Sequence, residues 1–184
     1  MKVPLLDLKA QLKTIEADMK KSVLEVLDST QYVMGAKVKE LEEAVAAYTG
    51  ATFAGGVSSG TDALLIALMA LDIQPGDFVI TSPYSFFATA GVIARLCARP
   101  VFVDIDPATY NISPLALKAW FASNKADAAK VKAIIPVHLY GQCADMDAIL
   151  ETADERGIPV IEDAAQAIGS RYPSKFGVKK AGAM

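Results

Sequence analysis

Ile158-Pro159-Val160-Ile161-Glu162-Asp163-Ala164-Ala165-Gln166 is the stretch that decides the fold: a short apolar run that delivers two acids and then a glutamine. A run this short and this apolar, with no polar alternation, predicts a strand buried on both faces, as in a parallel sheet. Open parallel sheets bind ligands beyond the carboxyl ends of their strands. An acid fixed there can stay ionised beside a cationic ring nitrogen and keep a pyridine cofactor protonated and electron-withdrawing. Strand alternation points Glu162 and Asp163 to opposite sides, so at most one of them faces such a site. The plainer alternative is that both acids cap the turn that follows.

Upstream of this stretch the same kind of run recurs at 53–57, 78–81, 100–103 and 133–137. Helical segments are expected between the runs, at 60–71, 86–97, 114–121 and 145–156. Strand and helix alternate throughout, which predicts an α/β fold of three layers, with a mostly parallel sheet covered by helices on both faces. Two helices precede it. In the first, Leu8, Leu12, Ile15, Met19, Val23 and Val26 recur every three or four residues over 7–29; the second spans 37–48, with Gly50 placed to end it. Residues 1–50 therefore read as a helical lead-in, and 51–184 as the sheet domain. Residues 170–184, rich in Lys, Gly and Ser and without a period, are expected to form a loop.

Composition narrows the function classes. The net charge of −3 gives no electrostatic reason to expect nucleic acid as a partner. Cys97 and Cys143 lack the spacing of a metal knuckle or a redox pair, and two cysteines do not make a disulfide scaffold; both read as reduced structural thiols. No run of about 18 apolar residues suggests a membrane span, and the opening lacks a signal peptide, so a soluble cytoplasmic protein is expected.

Three further features fall just beyond predicted strands. Ser58-Ser59-Gly60-Thr61-Asp62 opens a helix, where free N–H groups and the helix dipole attract phosphate and Gly60 permits close approach; the same residues also make an ordinary helix cap. They lack the Gly-Lys-Ser/Thr of a P-loop. In Pro83-Tyr84-Ser85-Phe86-Phe87-Ala88-Thr89 an aromatic ring can cover a planar cofactor, or simply pack in the core. His138 has no second histidine to share a metal and no nucleophile elbow, so a structural or substrate-contacting role is expected before a catalytic one. All these features lie on one edge of one sheet, which favours a single shared site.

In order along the chain, Pro4-Leu5-Leu6-Asp7-Leu8, Gln31-Tyr32-Val33-Met34-Gly35, Gly60-Thr61-Asp62-Ala63-Leu64, Tyr84-Ser85-Phe86-Phe87-Ala88-Thr89, Val103-Asp104-Ile105-Asp106, His138-Leu139-Tyr140-Gly141-Gln142 and Glu162-Asp163-Ala164-Ala165-Gln166 resemble the DegT/DnrJ/EryC1/StrS sugar aminotransferases, a family of fold-type I pyridoxal 5'-phosphate (PLP) enzymes. The resemblance spans nearly the whole chain. It implies that Gly60 and Thr61 hold the cofactor phosphate, Phe86 stacks on the pyridine ring, Asp163 pairs with the ring nitrogen and Gln166 approaches the ring hydroxyl. Tyr32, Tyr84 and His138 are the implied substrate contacts. No metal is implied.

The same resemblance places the Schiff-base lysine in a segment a little beyond Met184, so residues 51–184 are expected to be the amino-terminal part of a large PLP-binding domain, with the smaller carboxyl-terminal domain absent. Lys175, Lys179 and Lys180 precede that segment and are not assigned the role; exposure is expected of them. The implied reaction is a double displacement in which PLP takes an amino group from glutamate and its pyridoxamine 5'-phosphate form passes it to a nucleotide-linked keto sugar. The sugar is expected to be UDP-linked, with a lean from Leu139-Tyr140-Gly141-Gln142-Cys143-Ala144-Asp145 toward a 2-acetamido-3-oxo sugar of surface polysaccharide synthesis. A homodimer is implied. Two alternatives stay open: a sugar dehydratase of the same family, with histidine in place of the lysine, and a non-catalytic regulatory protein retaining the fold.

Overall fold

The computed structural model describes residues 6–184. The chain runs α1 (Leu8–Ser29), α2 (Ala36–Thr49), α3 (Gly60–Ala70), β1 (Phe78–Thr81), α4 (Phe87–Arg95), β2 (Arg99–Phe102), α5 (Pro114–Ser123), α6 (Lys125–Ala128), β3 (Val131–Ile135), α7 (Met146–Asp154), β4 (Arg171–Ser174) and β5 (Gly177–Lys180). Three strands form a parallel sheet in the order β2-β1-β3. On the free side of β3, residues 159–163 run parallel to it: the Ile134 and Ile161 amides donate to Pro159 O and Ile134 O, and the Asp163 and His138 amides to Pro136 O and Asp163 O. Pro136 and Pro159 have no N–H to give, which breaks this fourth pairing into two isolated bridges.

Side-chain alternation sorts the core onto the two faces of the sheet. Phe78, Ile80 and Ile134 pack with Leu117 and Phe121 of α5 and Met146 and Ile149 of α7. Val79, Ala133 and Ile135 pack with Leu64 and Leu68 of α3 and Val92 and Ile93 of α4. The expected three-layer α/β/α fold with its parallel sheet is what forms. A register shift between Phe78 and Val79 lets Val131 and Ile134, three residues apart, share one face.

Ends are set by local chemistry. Ser59 and Ser113 cap α3 and α5 through their hydroxyls, Pro114 occupies the first turn of α5, and Gly50 closes α2 with φ +89. Three expectations are corrected. Residues 53–57 form no strand: the Gly56 amide donates to Glu42 Oε1 at 2.7 Å instead of to a neighbouring strand, and Phe53 is exposed. Residues 170–184 are not a plain loop, because β4 and β5 pair as an antiparallel hairpin from Arg171↔Lys180 to Ser174↔Gly177. Asp147 pins that hairpin to α7, accepting from Ser174 Oγ at 2.6 Å and from the Lys175 amide at 2.8 Å. Lys175 and Lys179 are exposed as expected. Lys180 is not; its ammonium sits 3.9 Å from the Tyr48 ring centre and donates to Tyr48 O. Helix α1 buries no residue, and its apolar stripe, including Leu12 and Met19, faces outward. Among the described residues no helix is long and apolar enough to cross a membrane.

Candidate active site

At the carboxyl edge of the sheet, β1 runs into Ser82–Phe86, β3 into Val137–Leu139, and the 159–163 segment into Ala164–Gln166. Helix α3 starts beside them. Between these ends lies a cleft of about 210 Å³ whose lining includes Gly60, Thr61, Phe86, Asp163 and Gln166. All five residues implied as cofactor contacts thus share one space.

Each brings a different property. In the first turn of α3 the Ser59 hydroxyl takes the Asp62 amide and Ser59 O the Ala63 amide, while the amides of Gly60 and Thr61 have no partner among the described residues. Two free N–H groups at the positive end of a helix make an anion site. A Cβ at Gly60 would meet nothing within 4 Å, so packing within the chain does not call for glycine there. Asp62 is engaged on the other side of this turn by the Ser58 and Ser59 hydroxyls, whose hydrogen bonds hold its carboxyl below the usual carboxylate range.

Asp163 is buried and faces α4: Oδ2 accepts from Thr89 Oγ1 at 2.8 Å and Oδ1 from the Ala165 amide at 3.3 Å. Phe86 caps α4 in an extended conformation and, 73% exposed as a residue, lines the cleft. Gln166 spends Oε1 on the Tyr140 amide at 2.8 Å, and its amino group has no partner among the described residues, so it is available as a donor. An anion site, a carboxylate, an exposed aromatic face and an amide donor around one space fit a flat, cationic ring that carries a phosphate and a hydroxyl.

The implied substrate contacts separate. Tyr84 stands at the rim, in a neighbouring hollow with Tyr140, their hydroxyls 3.3 Å apart. Tyr32 does not reach this edge; it lines a separate hollow between α1 and α2, and its hydroxyl donates back to Leu27 O at 3.5 Å. Of the two roles expected for His138, the structural one holds and the substrate contact does not. Its side chain is fully buried, with Nδ1 accepting the Ala144 amide at 3.0 Å and Nε2 2.9 Å from Glu162 Oε2, so the ring offers no surface to a substrate. With Nδ1 as acceptor the proton sits on Nε2 and is donated to Glu162.

Sequence reasoning passed over Thr89 and Tyr140. Thr89 is buried three residues after Phe86, and that spacing was the available signal, since it puts both at the first turn of one helix. Tyr140 takes a left-handed backbone, φ 56 and ψ 23, inside a short 3-10 turn at Leu139–Gly141. That conformation costs a non-glycine residue about 1–2 kcal/mol and leaves no trace in composition. The turn is braced by the buried Asn111, which accepts from the Leu139 amide at 3.0 Å and donates to Gln142 O at 2.9 Å.

Residues 13–184 match the model of the DegT/DnrJ/EryC1/StrS aminotransferase family. The chain belongs to this family. It is 50% identical over 175 residues, 95% of the chain, to a pleiotropic regulatory protein of Geobacillus stearothermophilus, and 47% identical over 173 residues, 94% of the chain, to the UDP-2-acetamido-2-deoxy-3-oxo-D-glucuronate aminotransferase of Pseudomonas aeruginosa. Those alignments cover 45% and 46% of the relatives, so the chain spans less than half the length of either. Among solved structures, S. venezuelae DesV in complex with ketimine intermediate superposes with a TM-score of 0.90 at 39% identity, covering 100% of this chain and 47% of that one. Family membership and the shared fold account for the strand-helix alternation.

Proposed function

We propose that this chain is the cofactor-binding part of an aminotransferase that moves an amino group from glutamate to a nucleotide-linked keto sugar, with a UDP-linked 2-acetamido-3-oxo sugar as the acceptor. The observation that carries the proposal is the convergence of Gly60, Thr61, Phe86, Asp163 and Gln166 on one cleft in a member of this family. The acceptor is chosen by likeness to the Pseudomonas aeruginosa aminotransferase, whose name specifies a UDP-2-acetamido-3-oxo sugar.

When bound, pyridoxal 5'-phosphate supplies an electron sink that lets an amino group leave one carbon and arrive at another. The chain's own residues set the conditions. The free amides of Gly60 and Thr61 take the phosphate, and Phe86 covers one face of the ring and keeps water from it. The Asp163 carboxylate holds a proton on the ring nitrogen, because separating that charge pair in a buried place is costly. Thr89 keeps Asp163 turned into the cleft through its 2.8 Å hydrogen bond. Gln166 presents its amino group to the ring hydroxyl, while its oxygen fixes the Tyr140 turn at the rim. Tyr84 and Tyr140, exposed beside the cleft, are placed to meet the sugar. The chain spans less than half of the relatives it matches, and the proposal assigns the lysine that moves the reacting proton, with the smaller domain, to the remainder. The proposal includes a homodimer, for which the outward apolar stripe of α1 offers a surface to the second copy.

The experiment is a coupled assay on the complete protein: PLP-loaded enzyme, glutamate and a UDP-linked 2-acetamido-3-oxo sugar, with release of 2-oxoglutarate as readout. Release that requires the sugar supports the proposal. Release with a 4-oxo sugar alone moves the acceptor; none with either, from enzyme that binds PLP, favours a regulatory protein such as the one named in Geobacillus stearothermophilus.

A further inference from the structure

Glu162 has no part in the cleft as described. Its side chain is 9% exposed, yet it makes three hydrogen bonds, one to His138 and two to residues 182–184. Oε2 accepts from His138 Nε2 at 2.9 Å and from the Gly182 amide at 2.8 Å, and Oε1 accepts from the Met184 amide at 2.7 Å. His138 is tied in turn to the Ala144 amide. The Gly182 backbone, at φ +86, brings its Cα beside Ala164, where an added Cβ would stand 3.7 Å from the Ala164 Cβ.

Burying a carboxylate costs several kcal/mol unless its lone pairs are filled, and here all the donors that fill them come from outside its own strand. Among the described residues, 182–184 have no strand partner; their amides are held by this one side chain, apart from the Ala183 amide, which donates to Lys180 O. Glu162 adjoins Asp163, and the two side chains leave the segment in different directions, one to 182–184 and the other to Thr89 of α4. Consecutive Cα atoms are about 3.8 Å apart, so residues 182–184 are tied to the Asp163 position through one peptide unit and the Glu162 side chain.

We propose that Glu162 is a positioning residue: its carboxylate clasps the backbone at Gly182 and Met184 and so fixes residues 182–184 relative to Asp163. The consequence for turnover rests on the aminotransferase reading; the clasp itself does not. Burial pushes the Glu162 carboxyl up, and the hydrogen bonds from His138, Met184 and Gly182 outweigh that and hold it below the usual range, in keeping with an ionised acceptor.

Glu162→Gln keeps the size but has one acceptor oxygen. His138 can only donate toward it, because Nδ1 is already an acceptor, so the remaining oxygen serves His138 and Gly182 and the amino group faces the Met184 amide. In the complete, PLP-loaded protein, hydrogen exchange of the Met184 amide should rise about ten- to a hundredfold in this variant, the loss of one hydrogen bond to a charged acceptor. The rate at which glutamate converts the bound cofactor, counted per PLP-loaded site, should fall about tenfold or more with KM for glutamate within twofold. Glu162→Asp, which keeps both oxygens, should recover part of both. Unchanged exchange at Met184, or raised exchange with per-site turnover within twofold of the parent, overturns the proposal. If Glu162→Gln does not fold, the parent decides it: the Gly182 and Met184 amides should be protected like the core strands, and exchange at the rate of free amides overturns the clasp. A parent protein that is never converted by glutamate refutes the aminotransferase reading alone, since the exchange arm needs no substrate.

Discussion

Replacing Asp163 by asparagine separates the residue's structural task from its chemical one. In the fold, Asp163 accepts from Thr89 Oγ1 at 2.8 Å and from the Ala165 amide at 3.3 Å. Asparagine can repeat the second bond with its oxygen and turn its amino group toward the Thr89 oxygen, so the loss is the difference between a charged and a neutral acceptor, about 1 kcal/mol. For a protein with the usual reserve of about 5–15 kcal/mol, the variant stays folded. The chemical loss is larger. An opposite charge in contact with a cationic ring nitrogen is worth roughly 1.4–4 kcal/mol to the protonated ring, and asparagine removes it. Turnover per bound cofactor should therefore fall about ten- to a thousandfold while the melting temperature moves by only a few degrees. The assay is single-turnover absorbance of the PLP-loaded protein mixed with glutamate, beside thermal unfolding of the same samples. A variant within threefold of the parent rate per site would refute the placement of Asp163 at the ring nitrogen. A loss of activity that tracks unfolding would assign the residue to the fold instead.

Other predictions follow from the same geometry. Gly60→Ala meets open space and replaces a poor helix former at the start of α3, so it should hold or raise stability by up to about 1 kcal/mol while weakening PLP affinity; a fall in both would show that the fold itself needs the glycine. Phe86→Ala removes an already exposed ring and should leave the melting temperature within about 2 °C but raise the Kd for PLP several-fold, read by equilibrium dialysis; an unchanged Kd would remove Phe86 from the cofactor. Because the folded Glu162 carboxyl lies below its ordinary 4.5, its stabilisation is complete above that pH and is lost as pH falls through the folded value. The difference in melting temperature between the parent and Glu162→Gln should thus be flat from pH 7 to 5 and shrink below 4.5; a difference that shrinks as pH rises has the wrong sign. Leu12→Glu with Met19→Glu charges the outward stripe of α1 and should shift the complete protein from dimer toward monomer in sedimentation, and an unchanged dimer would place the interface elsewhere.

What could be read before the structure was what is encoded locally. Asp163 and Gln166 follow an apolar run within a few residues, and the placing of a ligand edge at strand ends is a rule of open sheets, so both were legible along with the layers. The 53–57 run looks like its neighbours but pairs with no strand among the described residues, its Gly56 amide going to Glu42, and a strand is defined by its partner rather than by its own composition. The β4–β5 hairpin failed in the opposite sense: its four-residue strands carry Lys, Pro and Gly, with no apolar alternation, and the contact that fixes them, Asp147, lies some 27 residues upstream. For His138 the sequence left a structural and a substrate-contacting role open, because burial is a property of the packed chain. A histidine after a strand can face a ligand or lie beneath it, and here the donors at Ala144 and the acceptor at Glu162 decide the matter. Thr89 and the Tyr140 turn belong to the same class, visible only once distant segments meet.

The most direct test of the central claim is the absorbance spectrum of the complete protein with PLP, recorded before and after glutamate. The account predicts a long-wavelength band from the bound cofactor that disappears on adding glutamate and returns on adding the keto sugar nucleotide. A protein that takes up no PLP, or whose band is indifferent to glutamate, would contradict it.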